Sequence, residues 1–269
     1  MDLHEQEGVK QRSIRVAGLR MPVTGDVAQN CRHIVDGIEA ASRAGADILL
    51  TPEAALSGYE LDFDRSGTRS ALENVTATAA AVGVALALGT LFEDQDARFN
   101  QLRFYDSRGA YLGAHSKQLL CDPVLADVEG LVEAKEFACT PLRTFDVDGV
   151  TVGGLICNDL WAHPLYTRTA DPLLLAQLAS RGAQIVLHAA NTGCKADAEA
   201  ELNRSFHEAM LRLRVRATGT PVVTVDACDS AGSRPSCAPS GGLDHQGEWR
   251  FKATSTQREV FVVDMPLRA

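Results

Sequence analysis

The sequence lacks the motifs that mark nucleotide-binding, zinc-binding and membrane-spanning proteins. It contains no Walker A loop and no G-x-G-x-x-G segment, so no motif supports nucleotide binding. Its seven cysteines form no C-x-x-C pair and its seven histidines form no H-x-x-x-H pair, which argues against a metal site. No stretch approaches the roughly 20 apolar residues of a membrane span.

An excess of basic residues is also missing. The 26 lysines and arginines are outnumbered by 35 aspartates and glutamates, which gives a formal net charge of −9. An acidic surface argues against nucleic acid or an anionic membrane as the main partner. The cysteines are odd in number and scattered, so they do not indicate a disulfide framework. They favour a reducing, cytoplasmic setting.

Length and composition are those of an ordinary globular protein. The chain has 269 residues, of which 45% are hydrophobic and 23% charged, and this fits one large α/β domain or two small ones. No linker, internal repeat or low-complexity run divides it, so we predict a single domain over residues 13–269. Residues 1–12 begin polar and acidic and lack the apolar region of a secretory signal, which predicts a flexible N-terminal leader.

Short apolar strands alternate with helices along most of the chain. The pattern begins β-α-β-α-β, inserts two hairpins with turns at 107–109 and 148–149, and then repeats strand, helix and strand. Helical spacing of apolar residues predicts helices over 26–44, 70–82, 165–181 and 199–218. This order indicates sheets buried under helices, the arrangement of an α/β protein.

Three reactive side chains stand where predicted strands end. Glu53 follows a strand that Pro52 terminates, Lys117 follows a hairpin, and Cys157 ends an apolar strand just before a turn. A thiolate attacks carbonyl carbons well, but a free thiol is mostly protonated at neutral pH and needs a base or a nearby cation. Each residue alone is more often a surface carboxylate, a solvated lysine or an inert core cysteine. Together they provide what a thiol-based acyl-transfer site requires.

In order and spacing these segments resemble the nitrilase superfamily of carbon–nitrogen hydrolases, whose site is a Glu–Lys–Cys triad. The string Pro-Glu-x-x-x-x-Gly-Tyr, from Pro52 to Tyr59, is the superfamily's first signature, and the resemblance covers about residues 14–263. It implies a four-layer α-β-β-α sandwich. It also implies that Glu53 is the general base, that Cys157 is the nucleophile, and that no metal or organic cofactor is required. Lys117 would stabilise the oxyanion and lower the pKa of Cys157.

The resemblance also implies a second glutamate. Many members of the superfamily carry one four residues before a Phe or Tyr, and Glu133, which precedes Phe137 by four, fits best. Glu129 and Glu136 compete for the role, which is to orient Lys117 and to hold or relay a proton. The implied reaction is ping-pong: ammonia or an amine leaves a thioester on the nucleophile, and water then releases the acid.

The residues after the nucleophile indicate the branch. Members that act on nitriles usually have Trp-Glu there, whereas this chain has Asn158-Asp159, which favours an amidase or carbamoylase. Cys-Asn-Asp resembles the N-carbamoyl-D-amino-acid hydrolases, but the arginines that bind the substrate carboxylate in those enzymes are missing. Asp159-Leu160-Trp161 resembles the glutaminase domain of glutamine-dependent NAD synthetase. We therefore expect a small-molecule amide substrate whose acyl group the sequence does not identify.

Five residues flanking the catalytic segments are candidates for substrate binding: Tyr59, Asn158, Trp161, His163 and Asn191. Trp161 could instead pack a subunit interface, Asn191 could cap a turn, and His188 is better explained as a structural histidine. The resemblance implies at least a homodimer. It leaves open an acyltransferase that passes the acyl group to an amine, a nitrile hydrolase and a catalytically silent scaffold.

Overall fold

The computed structural model of the protein describes residues 12–95, 97–124, 133–193, 198–228, 236–255 and 257–268. These residues form two six-stranded sheets. The first has the order β12-β1-β2-β3-β4-β5. Its strands are β1 (Ser13–Arg20), β2 (Ile48–Leu50), β3 (Ala85–Asp94), β4 (Ala97–Tyr105), β5 (Tyr111–Ser116) and β12 (Glu259–Pro266).

The second sheet has the order β11-β10-β9-β8-β7-β6. Its strands are β6 (Thr144–Val147), β7 (Val150–Ile156), β8 (Ile185–Ala190), β9 (Val222–Asp226), β10 (Gly241–Leu243) and β11 (Trp249–Lys252). Three neighbouring strands run parallel in each sheet, β1 to β3 in the first and β7 to β9 in the second, and the outer pairs are antiparallel. The carboxyl ends of the parallel strands therefore meet at one edge of each sheet.

The described residues contain five α-helices, which are α1 (Val27–Arg43), α2 (Arg65–Val82), α3 (Asn158–Trp161), α4 (Leu174–Ser180) and α5 (Ala198–Thr218). Asp26 caps α1, because its side chain accepts a hydrogen bond from the backbone N–H of Gln29. Asp64 caps α2 in the same way, and Gly83 ends that helix in the left-handed conformation that glycine adopts without strain. A single 3-10 turn spans Glu133–Lys135.

Three buried clusters divide the molecule into layers. The central cluster joins the facing surfaces of the two sheets, with Ile48 and Phe104 from the first sheet and Val152 and Leu187 from the second. A second cluster packs α1 and α2 on the outside of the first sheet, and a third packs α4 and α5 on the outside of the second. Burying each such Leu, Ile or Phe side chain contributes about 1.5–3 kcal/mol. The predicted four-layer α-β-β-α sandwich is confirmed.

The sequence prediction was wrong for part of one helix. Residues 165–181 were expected to be helical throughout, but α4 begins only at Leu174. Pro172 disfavours helical geometry at the residue before it, and Leu173 adopts a left-handed conformation with φ of 53°. In contrast, α2 begins five residues before the predicted Ser70, because Asp64 supplies a cap that the Ala-rich pattern does not reveal.

Two further expectations were a flexible N-terminal leader and the lack of a membrane-spanning segment. Residues 1–11 of the expected leader lie outside the described residues, so the leader stays a prediction. Within the part of the chain that the structure describes, no helix has both the length and the apolar character needed to cross a membrane.

Candidate active site

Three strand ends bring the reactive residues together. Glu53 lies three residues beyond the end of β2, Lys117 directly follows β5, and Cys157 directly follows β7. The first two belong to one sheet and the third to the other. The sheets are linked at this edge, because the Glu53 backbone N–H donates to the carbonyl of Ala190 at the end of β8, at 3.3 Å. The site is therefore built across the two halves of the sandwich.

Lys117 lies between two buried carboxylates. Its Nζ is 2.8 Å from Glu53 Oε1 and 2.8 Å from Glu133 Oε2, and all three side chains are at most 1% exposed. The Lys117 ammonium thus forms ion pairs with two carboxylates in a place from which water is largely excluded. Such a buried ion pair persists only where further hydrogen bonds satisfy the charges, and the surrounding residues supply them.

Glu133, among the three competing glutamates, is the second carboxylate of the site. It accepts hydrogen bonds from the Cys121 backbone N–H at 2.6 Å and from the Tyr59 hydroxyl. Glu136 points away and pairs with Arg98 at 3.5 Å, and its side chain is 36% exposed. Glu129 lies outside the described residues. The geometry therefore favours Glu133 for the role that the sequence assigned to it.

The two carboxylates differ in proton affinity. The pKa of Glu53 is raised, because burial and the charge of Glu133 outweigh the attraction of Lys117. The pKa of Glu133 is lowered: burial opposes ionisation, but Lys117, Tyr59 and the Cys121 N–H stabilise the anion more strongly. Divergent pKa values in a carboxylate pair separate a proton acceptor from a permanent anion. Glu53 is the one suited to exchange a proton.

The ammonium of Lys117 stays charged. Burial disfavours the charged form, but the nearby carboxylates of Glu133 and Glu53 raise the pKa of Lys117 well above its ordinary value. Lys117 is thus a fixed positive charge at the edge of the cavity and not a proton donor. A fixed cation is what an oxyanion requires from its surroundings.

Cys157 occupies a strained turn between β7 and α3. Its φ of 45° and ψ of −108° are unfavourable for any residue with a side chain. The Cys157 backbone N–H donates to Ala189 at 2.8 Å, and its carbonyl accepts from His188 Nε2 at 3.1 Å. Since a carbonyl can only accept, His188 carries its proton on Nε2 and accepts at Nδ1 from the Thr224 hydroxyl, 2.8 Å away. His188 is thus a structural histidine, as predicted, and it holds the backbone of Cys157.

The thiol of Cys157 is neutral at rest. Burial, followed by the negative charge of Glu53, raises its pKa well above the ordinary value, and Lys117 only partly offsets this. Lys117 lowers the pKa of the Cys157 thiol, as expected, but burial and the charge of Glu53 outweigh its effect, so the net shift is upward. Attack by the sulfur requires a base that removes the proton at that moment.

Asp159 is a residue of the site whose role the sequence did not reveal. One of its oxygens accepts from the backbone N–H groups of Gln118 and Leu119, at 2.8 and 2.7 Å. The other accepts from His115 Nε2 at 2.7 Å and from the Ile156 N–H at 3.0 Å. The carboxylate therefore ties the segment after Lys117 to the segment before Cys157. Its position in Cys-Asn-Asp was the signal available in the sequence.

All nine predicted site residues line one cavity of about 190 Å³. Tyr59 lies beside the carboxylates, and Trp161, His163 and Asn191 form walls further away. The Trp161 ring is 2% exposed and packs against His188 and His207, with centroid distances of 4.8 and 4.2 Å. Trp161 is thus a wall of this cavity, the first of its two expected roles. The nine are Glu53, Tyr59, Lys117, Glu133, Cys157, Asn158, Trp161, His163 and Asn191.

The side chains of two wall residues, Asn158 and Asn191, form hydrogen bonds to other groups of the protein. The Asn158 side chain donates to Leu119 O and Thr167 Oγ1 and accepts from the His163 N–H, at 2.7–3.1 Å. It shapes the loop, so only its backbone remains suited to a substrate oxygen. Asn191 donates weakly to the Glu53 carbonyl, at 3.4 Å. Asn191 therefore lines the cavity and contacts the segment that carries Glu53, and its contact with substrate stays a prediction.

The remaining cysteines include two in the cavity wall. Cys121 Sγ lies 3.8 Å from Lys117 Nζ, and burial raises the pKa of its thiol well above the ordinary value, so it is protonated. Cys237 is disulfide-bonded, which differs from the fully reduced state expected of a cytoplasmic protein. Among the described residues, no group of three or more His, Cys, Asp or Glu side chains is arranged to hold a metal ion.

Solved structures share the fold. An amidase from Nesterenkonia sp. superposes with a TM-score of 0.76 over 96% of this chain and 92% of its own, at 21% identity. A mutant of the amidase from Nesterenkonia sp. AN1 in complex with butyramide gives a TM-score of 0.75 over 94% and 91%, also at 21% identity. At this identity the likeness establishes the architecture alone.

Sequence relatives include two glutamine-dependent NAD(+) synthetases. The one from Xylella fastidiosa is 27% identical over 93% of this chain and 44% of its own length. The one from Synechocystis sp. is 29% identical over 52% of this chain and 26% of its own length. The chain thus spans less than half the length of these curated relatives. The carbon–nitrogen hydrolase family model matches residues 13–266. The chain therefore belongs to the carbon–nitrogen hydrolase family, within the nitrilase superfamily.

Proposed function

We propose that this hydrolase is a thiol amidohydrolase that cleaves a small carboxamide or N-carbamoyl compound through a thioester on Cys157. One observation carries the proposal: a single buried ammonium lies between two carboxylates of different proton affinity, in the cavity that a neutral thiol also lines. A general base, a fixed cation and a nucleophile are thereby held together.

The first half-reaction forms the thioester. Glu53 takes the proton of the Cys157 thiol while the sulfur attacks the carbonyl carbon, and Lys117 with the Asn158 backbone N–H stabilises the oxyanion. When the tetrahedral intermediate collapses, the carbon–nitrogen bond breaks and Glu53 gives its proton to the departing nitrogen. Ammonia leaves from a carboxamide. Glu133 remains an anion throughout and keeps Lys117 in place.

The second half-reaction releases the acid. A water molecule gives a proton to Glu53 and its oxygen attacks the thioester carbon, so the oxyanion forms again beside Lys117. The carbon–sulfur bond then breaks, and the proton on Glu53 returns to the Cys157 sulfur. The sum is amide plus water giving acid plus ammonia, with the enzyme restored. The same base serves both steps because its raised pKa suits proton exchange near neutrality.

The cavity favours a small, uncharged acyl group. Its volume of about 190 Å³ admits only a compact substrate. Among the described wall residues away from the catalytic carboxylates, His207 is uncharged at neutral pH, because burial lowers its pKa to about 4. The wall residues offer aromatic rings and side-chain amides, which suit a neutral group that accepts or donates hydrogen bonds. These wall residues are Trp161, His163, Tyr166, Asn191, Thr192, Asn203 and His207.

The names of similar proteins suggest which substrates to try first. Butyramide is bound in one amidase structure with the same fold, and the curated relatives are named for their dependence on glutamine. Release of ammonia should therefore be measured with butyramide, glutamine, an N-carbamoyl amino acid and butyronitrile. We expect turnover of the carboxamide, no turnover by Cys157→Ala, and much slower turnover of the nitrile. An active Cys157→Ala variant would refute the assignment of the nucleophile.

The same assay distinguishes the alternatives. Adding hydroxylamine intercepts the thioester, and a hydroxamate that forms faster than the free acid would favour an acyltransferase. Selective alkylation of Cys157 by iodoacetamide, located by peptide mass spectrometry, should abolish ammonia release in step with labelling. If Cys157 reacts no faster than the exposed Cys139 and no amide is cleaved, the scaffold alternative replaces the amidohydrolase.

A further inference from the structure

We propose that Asn100 is a positioning residue that fixes Glu53 and determines which of its two oxygens receives the proton. Asn100 lies in the middle of β4 and is fully buried. Its Nδ2 is 2.7 Å from Glu53 Oε1 and 3.4 Å from Glu133 Oε1. One neutral amide group therefore donates toward both carboxylates of the site. The inference rests on the proposed function, because it concerns how Glu53 acts as a base.

The hydrogen bonds to Glu53 are one-sided. Its Oε1 accepts from Asn100 at 2.7 Å and from Lys117 at 2.8 Å, whereas its Oε2 is buried and has no hydrogen-bond partner among the described residues. An oxygen that already accepts from two donors has little capacity to bind a proton. The proton from Cys157 must therefore go to Oε2, and the pair of donors on Oε1 fixes the orientation of the carboxylate.

The orientation of the Asn100 amide follows from its surroundings. An ionised carboxylate only accepts hydrogen bonds, so the amide must turn its N–H groups toward Glu53 and Glu133. This leaves Asn100 Oδ1 buried without a partner among the described residues, which is an unfavourable arrangement. A purely structural asparagine would be expected to satisfy its oxygen. The unpaired oxygen indicates that the contact with the carboxylates decides the conformation.

Asn100 also holds the cation of the site. Its backbone carbonyl accepts from the Lys117 backbone N–H at 2.9 Å, so the same residue fixes the strand end that carries the ammonium. A side-chain substitution keeps this backbone contact. The contribution of the amide group to Glu53 can therefore be removed without removing the bond that places Lys117.

The consequence for Glu53 is a lower proton affinity. Burial and the charge of Glu133 raise its pKa, and the hydrogen bond from Asn100 works in the opposite direction. Loss of the amide should raise the pKa of Glu53 further, by about one unit, which is typical for a hydrogen bond to a buried charged group. A base must be ionised to act, so the acid limb of the rate profile should move to higher pH.

The test measures the pH dependence of two reactions in wild type and in Asn100→Leu, which is of similar size but cannot donate. The first reaction is amide hydrolysis, as kcat/KM. The second is alkylation of Cys157 by iodoacetamide, which needs Glu53 as a base but no natural substrate. The matched control is Thr90→Val, which removes a buried hydroxyl hydrogen bond in the neighbouring strand β3. If circular dichroism shows that Asn100→Leu is unfolded, Asn100→Ala, which adds no atoms, replaces it.

We expect the acid limb of both profiles to move up by about one pH unit in the Asn100 variant, with about a tenfold loss of rate below the limb. Thr90→Val should leave the limb where it is in wild type. A uniform loss of rate with an unmoved limb would overturn the proposal and leave Asn100 a packing residue. If no amide is hydrolysed but the alkylation limb moves, the proposal holds and the proposed substrate class fails.

Discussion

The backbone of Cys157 is strained at the turn that follows β7. Its φ of 45° and ψ of −108° are accessible to glycine but cost a residue with a Cβ about 1–3 kcal/mol. Replacing Cys157 by Ala keeps this strain, whereas replacing it by Gly removes it. Glycine in turn loses about 0.5–1 kcal/mol through backbone entropy. We therefore expect Cys157→Gly to be as stable as Cys157→Ala or more stable by up to about 2 kcal/mol, measured by urea unfolding.

An ordinary strand position supplies the comparison. Ala87 is fully buried in β3 and does not have a positive φ. Ala87→Gly should lower the free energy of unfolding by about 1 kcal/mol. If Cys157→Gly were less stable than Cys157→Ala by the same amount, the turn would not be strained in the way described.

Glu133 acts on the rate and on the proton affinity of Glu53 in different directions. Its charge anchors Lys117 at 2.8 Å and also raises the pKa of Glu53. In Glu133→Gln the cation loses one partner, so we expect at least a tenfold fall in kcat/KM, a typical cost for a displaced catalytic group. The pKa of Glu53 should fall, so the acid limb of the pH profile should move to lower pH.

Glu136 is the matched control for this variant. It lies in the same segment, but it pairs with Arg98 near the surface. Glu136→Gln should have the same kcat/KM as wild type, and the acid limb of its pH profile should lie at the same pH. A Glu133→Gln limb at higher pH would contradict the pattern of charges, because Asn100→Leu and Glu133→Gln are expected to shift it in opposite directions.

The segment after β5 and the turn after β7 are joined by the Asp159 carboxylate. Burial opposes its ionisation, but His115 and the backbone N–H groups of Leu119 and Ile156 lower the pKa of Asp159 below its ordinary value. A lowered pKa means that the stabilisation is present above the unfolded value of about 3.9 and is lost as the pH falls through the folded value. We expect Asp159→Asn to lose about 3–5 kcal/mol of unfolding free energy at pH 7.

The pH dependence of the unfolding free energy distinguishes the charge interactions of Asp159 from its packing. The stability difference between wild type and Asp159→Asn should shrink when thermal unfolding is measured at pH 3.5 instead of pH 7. Glu73→Gln, on the exposed face of α2, should match wild type at both values. A difference that stays constant between the two pH values would show that the loss comes from packing and not from the charge of Asp159.

The sequence could predict those site residues that lie at the ends of strands. Apolar runs that stop at Pro52 or at Asn158 mark the edge of a sheet, and a thiol, an amine and a carboxylate at such edges meet by topology. Asn100 gave no such signal, because an asparagine inside a strand becomes part of the site only when β4 pairs between β3 and β5. The short α4 was missed because Leu173 adopts a left-handed conformation that a leucine-rich pattern does not indicate.

The proposed chemistry requires the sandwich as a whole, because each sheet carries only part of the candidate site. Lys117 and Glu53 come from the first sheet, and Cys157 comes from the second. The central cluster between the sheets therefore sets the distance between Glu53 and Cys157. Interiors pack at crystal-like density, so a change of volume in this cluster is transmitted to the site. A substitution far from the cavity can in this way change the rate without touching the substrate.

The outer surface of α5, one of the helices that cover the second sheet, is the candidate contact face of the predicted homodimer. Leu202 and Leu213 of α5 are 68% and 63% exposed, and their spacing of eleven residues, three helical turns, places them on one face. The helix packs beside α3, next to the nucleophile. We propose that a second copy of the chain covers this face. Light scattering should give about twice the 28.8 kDa of the monomer for wild type.

The double variant Leu202→Glu and Leu213→Glu tests this face directly. Two added carboxylates would be buried without partners in a dimer, which costs several kcal/mol, but they would be harmless on a free surface. We expect the variant to have the mass of one chain, with unchanged unfolding behaviour at low concentration. Val82→Glu, at the 40% exposed end of α2, should keep the wild-type mass. A double variant that remains dimeric would place the contact elsewhere, and a monomeric wild type would refute the homodimer.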